Sequence, residues 1–301
     1  MPIDVIVVGG SFAGLAAATY IARGRRSVCV VDAGSPRNRF AAASHGFLGQ
    51  DGSDPRAMLA QARAQLAAYR QATIVEGEAV DAWAGRNFTV TLASGATMEA
   101  ARLVLAYGIS DVLPKIPGLA ERWGRIVLHC PYCHGYEFAD RKLGVLAVSP
   151  LSAHQAMLIA EWGPTTLYLN GGDMPNEETC ARLASRGVGI ELAAVAALVG
   201  EGGTLSGMML GDGRMAAVEA LYLAPRSRMN SPLAERLGCA LDEGAFGPVI
   251  RTDASKLTTV AGVYAAGDVA RAPHSVSWAV ADGVTAGVSV HQSLVFASLA
   301  A

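Results

Sequence analysis

The chain has no apolar run approaching the roughly 20 residues that a membrane helix needs, and no long run of Lys or Arg. The first absence argues against a spanning segment. The second, with a net charge of −2, leaves no electrostatic footprint for nucleic acid or an anionic membrane. A signal peptide is also missing, because Met1-Pro2-Ile3-Asp4 runs straight into an apolar strand. No repeats or low-complexity tracts interrupt the chain. Cysteine is scarce and odd in number, at 5, and Cys29, Cys180 and Cys239 are too scattered to form a disulfide framework. The expected setting is a reducing cytoplasm, with no membrane and no nucleic-acid partner. In that setting the pair Cys130 and Cys133 is exceptional.

What is present is a chain of 301 residues, 51% of them hydrophobic. That is enough for two domains, each with its own core. Much of the apolar content is alanine, a good helix former that adds little hydrophobic area.

Residues 3–8 read as a fully buried strand, Gly9-Gly10-Ser11-Phe12-Ala13-Gly14 as a tight turn, and residues 15–23 as a helix. Residues 27–31 form the next strand, ending at Asp32 and Ala33. This βαβ order, with an acidic residue about 20 positions after the turn, is the pattern of a dinucleotide site. Gly9 makes the turn, Gly14 lets helix and strand pack closely, and the helix N-terminus faces a pyrophosphate. Asp32 is placed to bond ribose hydroxyls. The middle glycine of the strict pattern is Ser11, a residue small enough to present its backbone N–H. A generic α/β turn with no ligand is the bland alternative.

Further along, residues 55–72 read as a helix and residues 74–105 as a small antiparallel insertion with turns at Gly77, Gly85 and Gly95. Leu113-Pro114-Lys115-Ile116-Pro117-Gly118 reads as a first hinge and residues 243–248 as a second. Between them a second alternating α/β pattern runs through residues 143–147, 153–162, 166–169 and 180–186. Gly262-Val263-Tyr264-Ala265-Ala266-Gly267-Asp268 then returns to the first domain, followed by a helix from about His274-Ser275-Val276. An acidic residue after an apolar strand and a glycine can reach the ribityl chain of FAD, and that helix N-terminus can favour negative charge on a reduced flavin. Alone, the Gly-Asp turn is an ordinary surface turn; paired with the first motif it is a second cofactor signature.

The run His129-Cys130-Pro131-Tyr132-Cys133-His134-Gly135-Tyr136-Glu137 carries the chemistry. A Cys-x-x-Cys pair can lower the pKa of one thiol and close into a disulfide. The run also matches a haem attachment site, but no export signal accompanies it. Zinc is a second alternative, although four ligands from one hexapeptide surround a tetrahedral ion poorly and no second pair is present; no metal is expected. A buried structural pair of thiols is the third. The redox reading needs only two cysteines and a flavin. His134 can take or give the proton of thiol–disulfide exchange, His45 is a weaker base candidate, and His129 is read as structural.

Together these motifs resemble the low-molecular-weight thioredoxin reductase family over essentially the whole chain. The carrying residues are Gly9 to Gly14, Asp32, Leu105-Ala106-Tyr107-Gly108, Cys130 and Cys133, and Gly262 to Asp268. The resemblance implies two Rossmann-like three-layer domains. An FAD domain, residues 1–116 and 246–301, is split by an inserted nicotinamide-type domain, residues 117–245, that bears the Cys-x-x-Cys pair. It implies FAD held by Gly9, Gly10, Ser11, Phe12, Ala13, Gly14, Asp32, Ala33, Ala106, Gly108, Gly267, Asp268, Ser275 and Val276. It further implies a homodimer, with Cys133 on the flavin side and Cys130 as the exchange thiol.

Three departures shape the expected function. The nicotinamide turn, Leu146-Ala147-Val148-Ser149-Pro150-Leu151-Ser152, has no glycine, and Pro150 lacks an N–H donor. Asn170-Gly171-Gly172-Asp173 stands where a basic cluster should receive the 2′-phosphate. His134 replaces an acidic residue. From these the expectation is weak or absent NADPH binding. The chain would then resemble the gliotoxin- and holomycin-type dithiol oxidases, closing a small-molecule dithiol to a disulfide with oxygen as acceptor. The alternatives are a thioredoxin-disulfide reductase using NADPH weakly or ferredoxin, with a thioredoxin-like protein as partner, and a non-catalytic flavin redox sensor.

Overall fold

The computed structural model describes residues 3–296. The chain separates into two compact units: residues 1–39, 55–110 and 227–301 form the first, and residues 40–54 and 111–226 the second.

In the first unit, Ile3–Val8 lies between the parallel strands Val28–Asp32 and Thr97–Leu105, and Ala72–Glu76 extends the sheet beyond Val28–Asp32. Thr97–Leu105 is long enough to share its other edge. Its first half pairs antiparallel with Phe88–Leu92, which pairs on to Ala79–Ala84; its last three residues pair parallel with Val263–Ala265. The returning chain therefore re-enters the sheet beside Thr97–Leu105, one strand removed from Ile3–Val8.

A parallel sheet covered on both faces demands apolar residues at every position. Successive side chains alternate between faces, so Ile6, Val8, Cys29, Val31, Leu103 and Leu105 enter one core. Val5, Val7, Val28, Val30 and Val104 enter the other, against Leu15, Ala17, Ala18 and Ile21 of the helix Phe12–Arg23. That helix packs on the terminal helix Val276–Phe296 through small residues. A Cβ on Gly283 or Gly287 would run into the backbone oxygen of Ala13 or Ala17.

The second unit holds a five-stranded parallel sheet in the order Gly189–Glu191, Thr165–Tyr168, Leu143–Leu146, Ala220–Tyr222, Val127–Leu128. Helices Ser152–Ile159 and Glu177–Ser185 form its crossovers. A three-stranded antiparallel sheet, Val195–Val199, Gly207–Leu210 and Met215–Ala216, completes the unit. Arg122, 6% exposed, fastens this region: its guanidinium donates to the carbonyls of Gly118, Gly200 and Thr204 at 2.8, 2.6 and 2.7 Å.

The two Rossmann-type units match the expected fold class. The divisions fall at 110/111 and 226/227 rather than at 116/117 and 245/246. The glycines near 243–248 resemble a hinge in sequence, but they belong to a hairpin of Leu241–Gly244 and Gly247–Ile250. Gly247 lies at φ +135°, close over the carbonyl of Ser227, and Ser227 opens the return to the first unit. The excursion of residues 40–54 to the second unit leaves no mark in the sequence pattern. The helix expected over 55–72 stops at Ala67, and Ala72–Glu76 is a parallel strand. Among the described residues no helix is long and apolar enough to cross a membrane.

Candidate functional site

In the first unit the turn after Ile3–Val8 is shaped by lack of space. Gly9 sits at φ +112°, and a Cβ there would strike the carbonyl of Ala106. A Cβ on Gly10 would meet the Asp32 side chain, and one on Gly14 would overlap the Gly9 carbonyl oxygen. The first intrahelical bond runs from Leu15 N–H to the Ser11 carbonyl. The N–H groups of the first turn precede it, and the Ser11 hydroxyl does not cap them. A glycine-lined turn leading to an uncapped helix N-terminus is a fitting seat for a pyrophosphate.

Asp32 stands at the end of its strand. One carboxylate oxygen accepts the N–H groups of Gly10 and Gly34, each at 3.2 Å, and the other accepts from Arg63 at 2.6 Å. Ala33 follows in an exposed position. The second signature meets the first: a Cβ on Gly267, at φ +79°, would press on the Ala13 side chain. Asp268 accepts from Arg37 at 3.1 Å. Ala106 N–H bonds to the Val8 carbonyl at 2.8 Å. Gly108, at φ +70°, lies in a loop clasped by Asn230, which bonds the Tyr107 carbonyl at 3.1 Å and the Ser110 hydroxyl at 2.6 Å. Ser275 caps the terminal helix, accepting Trp278 N–H at 3.1 Å, with Val276 as first helical residue. Of the candidate cofactor residues, Gly9, Gly10, Ala13, Gly14, Asp32, Ala106 and Gly267 thus come together where the glycine turn and the returning chain touch. Residues of this kind fit FAD. Arg37, Arg63 and Asn230 were not legible as part of the cluster.

In the second unit Cys130 and Cys133 form a disulfide with Cα atoms 5.3 Å apart. Cys130 is the N-cap of a one-turn helix, Pro131–His134, and Pro131 at its first position needs no N–H partner. Both cysteines are half-buried. Gly135 closes the turn where a side chain would collide with Trp162, and Tyr132 packs edge-on to Trp162 at 5.7 Å. Tyr222, fully buried, donates to the His134 carbonyl at 3.3 Å, and its own pKa is pushed up by desolvation and by the charge of Glu137. Gln155, 6% exposed, donates to the His129 carbonyl at 2.8 Å, which anchors the residue before Cys130.

His134 shares this pocket with His45, carried in on the 40–54 excursion; the two rings meet edge to face at 6.2 Å. His45 reaches Glu137 at 3.4 Å and Asp51 at 3.6 Å. Burial pushes the His134 pKa below the ordinary imidazole value; Glu137 opposes that shift and His45 adds to it. The two base candidates named from sequence, His134 and His45, therefore lie together, and His134 directly follows Cys133.

The turn after Leu143–Leu146 opens the helix Ser152–Ile159, where a Rossmann unit receives a nucleotide. The Ser152 hydroxyl, 2% exposed, accepts N–H from Val148 and Ser149 at 3.1 and 3.3 Å. The Ser149 hydroxyl oxygen, in the same turn, is buried with no hydrogen-bond partner among the described residues.

Comparison with known proteins places these sites in context. The family described as pyridine nucleotide-disulphide oxidoreductase matches residues 3–283. The chain is 45% identical to an oxidoreductase from Agrobacterium tumefaciens of known crystal structure, covering 98% of this chain and 99% of that one with a TM-score of 0.94. It is 38% identical to HlmI, covering 99% of this chain and 94% of that one with a TM-score of 0.93. It is also 33% identical to the thioredoxin reductase tcpT of Claviceps purpurea, over 95% of this chain and 92% of that protein. These matches overturn the expectation of weak or absent NADPH binding, since a pyridine-nucleotide family spans both units without a break. A nucleotide seat is built from strand end, turn and helix N-terminus, all of which the chain keeps without the glycine.

Proposed function

We propose, for a chain that belongs to the pyridine nucleotide-disulphide oxidoreductase family, the role of an NADPH-dependent disulfide reductase of the thioredoxin reductase type. It is an FAD-dependent oxidoreductase acting on sulfur groups through its Cys-x-x-Cys disulfide. The observation that carries the proposal is the half-buried Cys130–Cys133 disulfide with a half-buried His134 as the next residue in the chain. In this reading Gly9 to Gly14, Asp32, Gly267 and Asp268 hold FAD. Ser149 and the start of the helix Ser152–Ile159 hold the nicotinamide nucleotide. When bound, these groups supply the two electrons that open the disulfide.

The chain's own residues then carry out exchange. The Cys130 thiolate attacks one sulfur of a substrate disulfide, forming a mixed disulfide and expelling the first substrate thiolate. Cys133 attacks the Cys130 sulfur, restoring the Cys130–Cys133 bond and expelling the second thiolate. Two protons pass from the enzyme thiols to the two product thiols, and His134 carries them. A neutral imidazole suits that task because it accepts from one sulfur and returns to another near neutral pH. The substrate class is a small-molecule disulfide or a thioredoxin-like protein, and the working form is a cytoplasmic homodimer.

One observation favours a second reading, oxidation of a dithiol with oxygen as acceptor: His134 is a base poised to deprotonate an incoming thiol, and exchange runs both ways. A single pair of assays separates the two. The reductase consumes NADPH continuously when offered a disulfide such as 5,5′-dithiobis(2-nitrobenzoate), and makes little peroxide from dithiols in air. Rapid peroxide formation from a dithiol, with no NADPH consumption, would reverse the direction. A single stoichiometric oxidation without turnover would mark a redox sensor.

A further inference from the structure

We propose that His45 is a positioning residue for the Cys130–Cys133 couple: it anchors the Glu137 carboxylate on its own ring, and so leaves the neighbouring His134 imidazole neutral and free to carry thiol protons. This rests on the exchange chemistry proposed above and adds a residue to it.

The geometry supports a division of charge among three groups. Glu137 lies on the single turn Tyr136–Phe138 that follows His134, so its charge bears on the His134 ring and favours the protonated form. Its Oε1 is 3.4 Å from His45 Nε2. On the other side of the ring, His45 Nδ1 lies 3.6 Å from Asp51 Oδ1, an oxygen that also accepts the Gly46 N–H at 2.8 Å. The Asp51 carboxylate is therefore tied to its own loop, and that loop is closed at its base by the Ser44 N–H to Ser53 carbonyl bond at 2.8 Å. His45 is thus delivered to Glu137 on a braced turn rather than a loose one. Tyr222 also meets this residue, its hydroxyl spent on the His134 carbonyl at 3.3 Å. Of these neighbours, Glu137 supplies the charge that would favour imidazolium at His134, and His45 competes for it.

An imidazolium cannot accept a proton. If Glu137 swung to His134, an opposite charge within about 4–6 Å would raise the His134 pKa by roughly 1 unit or more, and the base would be lost over the neutral range. Holding Glu137 on His45 prevents this. The excursion of residues 40–54 into the second unit gains a purpose by the same argument, since it brings in a side chain that does the holding.

The test follows the His134 ring directly. Histidine-labelled holoprotein is titrated from pH 5 to 8.5 by NMR, with the His134 signal identified from its loss in His134→Gln. In parallel, the oxidised protein is mixed with dithiothreitol, quenched with acid, alkylated, and the peptide containing Cys130 and Cys133 is weighed. His45→Gln should raise the His134 midpoint by about 1 pH unit. The pH above which the His45→Gln protein outpaces His134→Gln should lie higher than for wild type by the same amount, with a loss of neutral base of about fivefold one unit below the new midpoint that approaches about tenfold at lower pH. Glu137→Gln should instead lower the midpoint, and His45→Gln combined with Glu137→Gln should abolish the rise. FAD content and melting temperature report folding, and Glu137→Gln, a change at a partly exposed position, still overturns the proposal by an unmoved or rising midpoint if His45→Gln folds poorly. An unmoved or falling midpoint in His45→Gln, a rise that persists in the double variant, or a midpoint that does not fall in Glu137→Gln overturns the proposal. None of these readouts uses NADPH, so failure of the reductase reading shows up separately, in nucleotide consumption.

Discussion

Replacing Gly14 by alanine adds a single methyl group, and the structure says where it must go. The new Cβ would overlap the carbonyl oxygen of Gly9 and press on the Val7 side chain. Neither can yield cheaply: Val7 is fully buried, and Gly9 is fixed by its N–H bond to the Val31 carbonyl at 2.8 Å. The helix Phe12–Arg23 must therefore tilt off the sheet, loosening the contacts of Leu15, Ala18 and Ile21. Overpacking of this kind costs about 1–3 kcal/mol. At about 2–4 °C per kcal/mol for a chain region of this size, the melting temperature should fall by about 2–12 °C. The same tilt moves the uncapped N–H groups away from a pyrophosphate, and each 1.4 kcal/mol lost there weakens FAD binding about tenfold. The assay is FAD released per chain, with the melting curve of the same sample. Gly85→Ala, in the same unit, is the control, because its added Cβ meets its nearest atom at an ordinary 3.5 Å. If Gly14→Ala keeps full FAD and the melting temperature of Gly85→Ala, the close approach is not what shapes the site.

Other consequences can be checked by simple means. Arg122→Met should cost about 3 kcal/mol by thermal or urea unfolding, because three carbonyls lose a charged donor in a buried place. Asp282→Ala should cost about 3–5 kcal/mol, since the 5%-exposed carboxylate faces Lys256 at 2.7 Å and Arg271 at 3.4 Å, and both cations would be left without it. The depressed pKa of His134 means that the unfolded chain binds its proton more readily than the folded one. Its contribution to stability is complete above the unfolded value of about 6.5 and is lost as pH falls toward the folded value. His134→Gln should flatten that part of the acid limb in a series of urea titrations between pH 5 and 7.5.

The parts of the molecule that were legible in the sequence are local ones. The run Ile3 to Gly14 shows its strand, turn and helix because a buried parallel strand is apolar throughout and a crowded turn admits only glycine. The Cys130-to-His134 run is likewise read within five residues. The parts that were missed join distant positions. Arg63 reaches Asp32 across 31 residues and Arg37 reaches Asp268 across 231, and a lone arginine carries no periodic signal. His45 could be named as a base candidate, but its contact with Glu137 depends on an excursion that no composition shift announces. The glycines at 244 and 247 misled because a hairpin and a hinge ask for the same residue. The turn at 147–151 misled differently. Glycine is one means of exposing a nucleotide seat, and its absence is not absence of the seat.

Disulfide reduction and dithiol oxidation are the same exchange step run in opposite senses, so one residue must serve both. If His134 only ferries protons between sulfurs, its removal raises the barrier without changing either end state. His134→Gln should then slow opening of the Cys130–Cys133 disulfide by a dithiol and its re-formation by a disulfide by one common factor. That factor should be about 100-fold or more near pH 7, the usual worth of a general base, and should shrink as pH approaches the thiol pKa of about 8.5. The redox potential of the pair, read by equilibration against dithiothreitol, should stay where it was. A variant that instead shifted the potential, by about 30 mV for each 1.4 kcal/mol, would show His134 stabilising one state of the thiols rather than moving their protons. A variant slowed in one sense alone, with the potential unmoved, would break microscopic reversibility for a shared step and so place His134 outside the exchange altogether. The direction of flow in the working enzyme then belongs to the electron supply, and His134 sets only how fast the sulfurs trade partners.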